Sequence, residues 1–270
     1  MVLPRVIATD LDGTLLNQSG QVSVRNRRAL TAAVEAGIKV VIVTARPPRA
    51  TAAIAAMFDC AAVVCGNGAH TQLPGETSPL IRAIDRYTSG TIVEKLRGAL
   101  PELGFGVETG TEFYHDVDYH LEPWVPSDWV SGVLDDTDAL LTAATPVTKL
   151  IARSSTYPVH LMYEAAVSSV GSLAEATYSG GAGLVEISAA GVNKGSTLAM
   201  LCERWGVARE EVVAFGDMPN DRSALTWAGS GYAMVSGHPE LLDPALGLEV
   251  APSSFEDGVG QVVESLLDRA

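Results

Sequence analysis

The sequence predicts an α/β protein: a wound parallel sheet flanked by helices, interrupted by a separate α+β domain. Three observations carry that prediction. Short, almost wholly apolar runs at residues 6–9, 38–43, 61–64 and 211–215 have the length and composition of strands buried on both faces. Helical periodicities lie between them with short connections, the pattern of βαβ units. From about residue 83 to residue 186 that alternation stops, and strands and helices follow in a different order. The expected boundaries are 1–82 and 187–270 for the wound domain and 83–186 for the insertion.

Composition narrows the function. Of 270 residues, 47% are hydrophobic and 19% charged, enough to build a substantial core. Thirty-two acidic residues face 18 basic ones, a formal net charge of −14, which argues against nucleic acid as a partner. An anionic substrate then needs a local cationic pocket. Cys60, Cys65 and Cys202 have no metal-ligand spacing, and their odd number fits a reducing compartment. No apolar run approaches the ~20 residues that span a bilayer, and Met1-Val2-Leu3-Pro4-Arg5 has no signal-peptide pattern. The expectation is a soluble cytoplasmic protein, a monomer or weak homodimer, with no membrane partner.

In chain order, the strand at 6–9 runs into Asp10-Leu11-Asp12-Gly13-Thr14. Two carboxylates at a strand's C-terminal end, with Gly13 permitting close backbone approach, form an anionic cup. Such a cup calls for a hard cation, Mg²⁺ first. A calcium loop of the EF-hand type fails, because the twelfth position counted from Asp10 is Gln21, not Glu. Ser23 caps a helix carrying Ala29, Leu30, Ala33 and Val34, which Gly37 closes. The strand at 38–43 ends in Thr44-Ala45-Arg46; as a parallel neighbour of the first strand it puts Thr44 near Asp10. Pro47 and Pro48 suit the first turn of a helix reaching about Met57. A strand at 61–64 meets a tight turn at Asn67-Gly68.

In the insertion, a helix near 89–100, strands at 104–108 and 112–115, an irregular stretch at 121–131, a strand at 147–152, a helix at 161–170 and strands at 174–179 and 184–188 are expected. The wound pattern resumes where Asn193-Lys194-Gly195 opens a helix to Trp205. The strand at 211–215 runs into Gly216-Asp217-Met218-Pro219-Asn220-Asp221. A helix at 223–227, a strand at 232–235, a short helix at 239–242 and a helix at 256–268 finish the chain.

Asp10/Asp12, Thr44, Lys194 and Asp217/Asn220/Asp221 thus fall at strand ends or helix starts of one domain. In order and context they resemble the four motifs of the haloacid dehalogenase-like phosphatase superfamily. Gly-Asp-x-x-Asn-Asp, the Lys194-Gly195 pair, Asn67-Gly68-Ala69 and the large insertion resemble its Cof-type subgroup. The resemblance covers essentially the whole chain and implies a Rossmann-like three-layer core with an inserted α+β cap that sets substrate choice.

It also implies roles. Asp10 is the nucleophile that forms an aspartyl-phosphate, and Asp12 the general acid/base. Mg²⁺ is held by Asp10, the Asp12 backbone carbonyl and Asp217, with Asp221 as a further ligand or an orienting neighbour. Lys194 and the Thr44 hydroxyl hold phosphate oxygens, and Asn220 touches phosphate or metal-bound water. Arg46 and Asn67 are substrate-side candidates, although a solvated loop arginine and a turn residue explain them too. The expected reaction is hydrolysis of a small phosphorylated metabolite, a sugar phosphate first, or a cofactor phosphate such as flavin mononucleotide or pyridoxal phosphate. A phosphomutase of the same superfamily and a non-catalytic phosphometabolite-binding protein are the alternatives. His115 and His120 lack a third ligand and read as surface or core. Trp124 and Trp129 read as core of the insertion, as do Met200 and Met234 in the wound domain. His238 either faces the mouth of the site or caps the short helix after it.

Overall fold

The computed structural model describes residues 3–121, 125–179 and 183–269. The chain divides into two compact units. The first comprises Met1–Arg46, Ala50–Leu80 and Asn193–Ala270; the second comprises Pro47–Arg49 and Ile81–Val192.

The first unit begins with β1 (Val6–Thr9), every residue of which is buried. A wide turn, Leu11–Leu15, leads to α1 (Val24–Glu35), where Ser23 caps the start by accepting from the Asn26 N–H. β2 (Lys39–Val43) follows, then a single turn at Pro48–Ala50 and the one-turn α2 (Ala52–Ala55). The long helix expected from Pro47 to Met57 is therefore broken into two short pieces. β3 (Ala62–Cys65) turns through Gly66–Gly68 into β4 (His70–Gln72), antiparallel to it, and β5 (Leu80–Ile81) follows.

The second unit carries α3 (Arg86–Ala99), β6 (Gly104–Glu108), β7 (Phe113–Asp116), β8 (Gly132–Leu134), α4 (Thr137–Ala143), β9 (Lys149–Arg153), α5 (Val159–Val170), β10 (Ala174–Thr177) and β11 (Leu184–Ala189). Its sheet runs β10-β11-β9-β6-β7-β8 and is antiparallel except where β7 meets β8. Alternate residues of the strands, including Phe105, Val107, Leu150, Ala152, Val185 and Ile187, pack against Ile92, Leu96, Leu140 and Met162 of the helices. β8 and α4 were not legible in the sequence. α4 starts in an acidic run whose Asp136 caps it through the Ala139 N–H, and only Leu140 and Leu141 are buried.

Back in the first unit come α6 (Lys194–Trp205), β12 (Val212–Gly216), α7 (Arg222–Trp227), β13 (Ser230–Met234), β14 (Glu249–Ala251) and α8 (Gly258–Asp268). The sheet order is β14-β13-β12-β1-β2-β3-β4-β5, parallel from β14 through β3. Strand alternation sends Ile7, Val40, Ile42, Val213 and Phe215 into the core shared with α1 and α8. Val6, Ala8, Val41, Val43, Val212 and Ala214 go into the opposite core, with α6 and α7. A wound three-layer core with an inserted α+β unit is the fold the sequence predicts. No helix among the described residues is long and apolar enough to cross a membrane.

Candidate active site

β1 is flanked by β12 and β2, all parallel, so the residues just past their C-terminal ends share one edge of the sheet. Those residues are Asp10, Asp217 and Thr44. The Asp10 N–H donates to the Phe215 carbonyl at 3.1 Å, continuing the β1–β12 ladder up to the site. Gly13 sits in the left-handed region at φ 74°, and a Cβ there would lie 2.1 Å from Asp217 Oδ2. Only glycine lets the turn and Asp217 come this close.

α6 supplies the cation. Asn193 caps it, accepting from the Ser196 N–H, while Ser196 Oγ accepts in return from the Asn193 N–H. A Cβ on Gly195 would lie 2.3 Å from the Ser223 carbonyl oxygen, so the first turn of α6 presses directly against α7. Lys194 is turned inward and is 1% exposed. Its Nζ donates to Asp10 Oδ1 at 2.9 Å and to Asp221 Oδ1 at 2.6 Å. Asp221 Oδ2 accepts the Asp217 and Met218 N–H groups at 3.0 and 2.9 Å, so both of its oxygens are engaged. Thr14 Oγ1 donates to Asp217 Oδ1 at 2.9 Å. Oδ2 of Asp10 and of Asp217 accept no hydrogen bond among the described residues.

Three buried carboxylates therefore share one buried ammonium. Burial pushes the Asp10 carboxyl well up; Lys194 opposes this, and Asp221 and Asp217 add to it. Burial, then repulsion by Asp221, lifts Asp217 to about 7. Burial alone would lower the Lys194 ammonium, but Asp10 and Asp221 outweigh it and hold it above its ordinary value. The cluster has more negative charge than the protein's own cation balances. Asp10, Asp217 and Asp221 bring one oxygen each within 4.8 Å of one another. All-oxygen donors with excess negative charge suit a hard divalent cation, so these residues fit Mg²⁺.

Beside this floor, Asn220 Nδ2 donates to Asn67 Oδ1 at 3.1 Å, while Asn220 Oδ1 is buried and accepts no hydrogen bond among the described residues. Asn67 holds the left-handed conformation at φ 57°, and its N–H donates to the Thr44 carbonyl at 3.0 Å. Asp12 lies at the rim, its side chain 59% exposed. Arg46 grips it end-on: Nε donates to Oδ2 at 2.7 Å and Nη2 to Oδ1 at 2.6 Å. The structure thus gathers Asp10, Lys194, Asp217 and Asp221 into one bonded cluster, with Thr44, Asn67 and Asn220 linked alongside and Asp12 paired to Arg46.

The other singled-out residues lie elsewhere. His238 caps the turn Pro239–Leu242 by accepting from the Glu240 N–H, and its own N–H donates to the Asp217 carbonyl at 2.7 Å. His115 is buried, its Nδ1 against the Asp116 carbonyl, and His120 is exposed; neither joins a metal-binding group among the described residues. The Trp129 ring packs against the Arg49 guanidinium, 5.7 Å away; Trp124 lies outside the described residues. Met234 is fully buried and Met200 packs at the edge of the core. Thr14 is the residue that sequence reasoning missed. Its signal was its place at the end of Asp-Leu-Asp-Gly-Thr, a hydroxyl with no assigned partner.

Comparison with known proteins gives the family. The chain is 27% identical over 295 residues to 5-amino-6-(5-phospho-D-ribitylamino)uracil phosphatase YwtE of Bacillus subtilis (strain 168), covering 97% of this chain and 98% of that protein. It is 25% identical over 267 residues to the phosphoglycolate phosphatase of Methanothermobacter thermautotrophicus, covering 97% and 99%. Among solved structures, SMU.1108c from Streptococcus mutans UA159 superposes with a TM-score of 0.81 at 24% identity, over 98% of this chain and 99% of that one. The family model for haloacid dehalogenase-like hydrolases matches residues 7–263, and the chain belongs to that family.

Proposed function

We propose that the protein is a Mg²⁺-dependent phosphatase that hydrolyses small phosphorylated metabolites through an aspartyl-phosphate on Asp10. The observation that supports this most is the buried Lys194 ammonium held between Asp10 and Asp221, beside a third carboxylate at the end of a parallel sheet. A phosphate dianion needs positive charge next to an anionic nucleophile, and Lys194 supplies it from the protein.

In this reading an Asp10 oxygen attacks phosphorus and the ester P–O bond breaks. Asp12 gives its proton to the departing alkoxide. Asp12 then takes a proton from the water that attacks the phosphoaspartate. The P–O bond to Asp10 breaks, releasing inorganic phosphate and restoring the carboxylate. Lys194 and the Thr44 hydroxyl hold phosphate oxygens, with Asn220 beside them. Asp10 and Asp217 would hold Mg²⁺ together with the Asp12 carbonyl. Asp221, engaged on both oxygens, would orient Lys194 and the Asp217 backbone. Bound Mg²⁺ supplies charge neutralisation between carboxylate and phosphate.

Residues 83–186 are proposed as the cap that chooses the leaving group. Relatives named for a ribityl phosphate and for phosphoglycolate support phosphate esters of small alcohols as substrates, sugar and sugar-alcohol phosphates before cofactor phosphates. Three free cysteines support work in a reducing cytoplasm. The test is phosphate release from a panel of sugar, nucleotide and cofactor phosphates, with Mg²⁺ or EDTA. Asp10→Asn keeps the shape but is a poor nucleophile, so the expected result is Mg²⁺-dependent release in the wild type and none in the variant. Release retained by Asp10→Asn would overturn the mechanism.

A further inference from the structure

Arg46 invites reading as a ligand for the anionic substrate, yet three of its five N–H groups, including the Nε–Nη2 fork, are directed at protein oxygens. Nε and Nη2 both go to Asp12, at 2.7 and 2.6 Å, and Nη1 points at the Ala50 carbonyl, 3.5 Å away. A guanidinium fork docked bidentately fixes the plane and direction of a carboxylate, which a single donor cannot do.

The need for such a partner is visible on the other side. Asp12 stands at the rim, in a turn whose next residue, Gly13, is left-handed. Arg46 is the one side chain that bonds its carboxylate among the described residues. An exposed aspartate without a partner spreads over its rotamers. Arg46 itself is anchored: its N–H donates to Thr44 Oγ1 at 3.1 Å, and its carbonyl accepts the Gly66 N–H at 3.0 Å. The anchor is thus tied to the end of β2, which also carries Thr44. The pair lies at the surface, Asp12 exposed at 59% and Arg46 part-buried at 29% by side chain, so it adds little to stability. Its strict geometry answers to another need.

We propose that Arg46 is a positioning residue for Asp12 and not a phosphate ligand: it holds the Asp12 side chain in place so that, when the carboxyl is protonated, one oxygen stays on the guanidinium while the other carries the proton toward the leaving group. This rests on the phosphatase reading above, in which Asp12 is that acid.

The reaction offers a probe that separates the two roles. An alkyl alkoxide needs a proton to leave, whereas p-nitrophenolate leaves without one. kcat/KM is measured for wild type, Arg46→Ala and Arg46→Lys on p-nitrophenyl phosphate and on the alkyl phosphomonoester that the wild type cleaves fastest. Affinity for inorganic phosphate is measured in parallel by calorimetry. For Arg46→Ala the expected result is a loss of about 10-fold on the alkyl ester, part of the ~10²–10⁴ that a positioned acid contributes, since Asp12 itself remains. The loss on p-nitrophenyl phosphate and the change in phosphate affinity are both expected to stay within about twofold, if proton transfer is what Arg46 serves. Arg46→Lys, with one donor in place of a fork, should regain part of the alkyl-ester rate. Equal losses on both esters with weakened phosphate binding would make Arg46 a phosphate ligand and overturn the proposal. Equal losses with unchanged phosphate binding would reduce it to a structural contact, overturning it equally. If the wild type cleaves neither ester, the phosphatase reading fails and takes this inference with it.

Discussion

The floor and the rim of the site each pair carboxylates with a cation, and they do so under opposite conditions. At the floor, Asp10, Asp217 and Asp221 surround Lys194, which is 1% exposed, and every group is buried. At the rim, an exposed Asp12 meets a part-buried Arg46. Asp10 and Asp12 are two residues apart, yet strand β1 drives the first into the core while the turn after it leaves the second outside. Charges taken from water interact strongly and must be matched. Charges left in water interact weakly, so a pair there supplies direction more than stability. The floor is therefore where energy is stored, and the rim is where a group remains free to meet solvent and substrate.

That contrast can be broken most severely at Lys194. Lys194→Met leaves three buried carboxylates without a cation, and breaking a buried charge pair costs ~3–5 kcal/mol. Metal-free variant protein at pH 8 should lose about that much in urea unfolding, with Mg²⁺ restoring part of it. Turnover should fall by about 10²–10³, as on removing one preorganised donor. A stability loss below about 1 kcal/mol would show that the floor is not a coupled charge cluster.

A smaller effect sharpens the same point through pH. Asp217 is held up to about 7 in the folded protein, against about 3.9 in an unfolded chain. Between these values the folded protein keeps a proton that the unfolded chain has released. The stability linked to Asp217 is thus fully present below about pH 4 and lost as pH rises through about 7. Metal-free wild type should weaken over that window, and Asp217→Asn should remove on the order of 4 kcal/mol of the fall. Saturating Mg²⁺ should flatten the wild-type curve. An unchanged slope in the variant would place the titration elsewhere.

The rim should show the least. Asp12→Ala, Arg46→Ala and the double variant should each shift unfolding by less than about 1 kcal/mol, with a coupling energy of about 0.5 kcal/mol. A larger coupling would mean that the rim pair behaves like the floor.

How much of this was legible beforehand follows from range. β1, β2, β3 and β12 are strongly apolar, and caps such as Ser23 and Asn193 announce their helices locally. The Asp-x-Asp-Gly-Thr and Gly-Asp-x-x-Asn-Asp stretches mark strand ends, so Asp10 and Asp217 were both visible. The short elements were not: β8, β14 and α4 have too few apolar residues to set a period, and their neighbours decide them. The helix expected after Pro47 broke into single turns, since two prolines favour a helix start without ensuring its continuation.

By itself the sequence determined the fold class, the inserted domain and the identity of the chemical groups, because periodicity, caps and turn residues act over a few positions. Tertiary structure alone decided the partners. Lys194 reaches Asp10 across 184 residues of chain, Thr14 reaches Asp217 across 203, and Arg46 turns to Asp12 across 34. No local rule chooses among the acids an arginine can meet. That choice falls to the packing of parallel strands and the first turn of α6, which sets which charges are buried together and which stay in water.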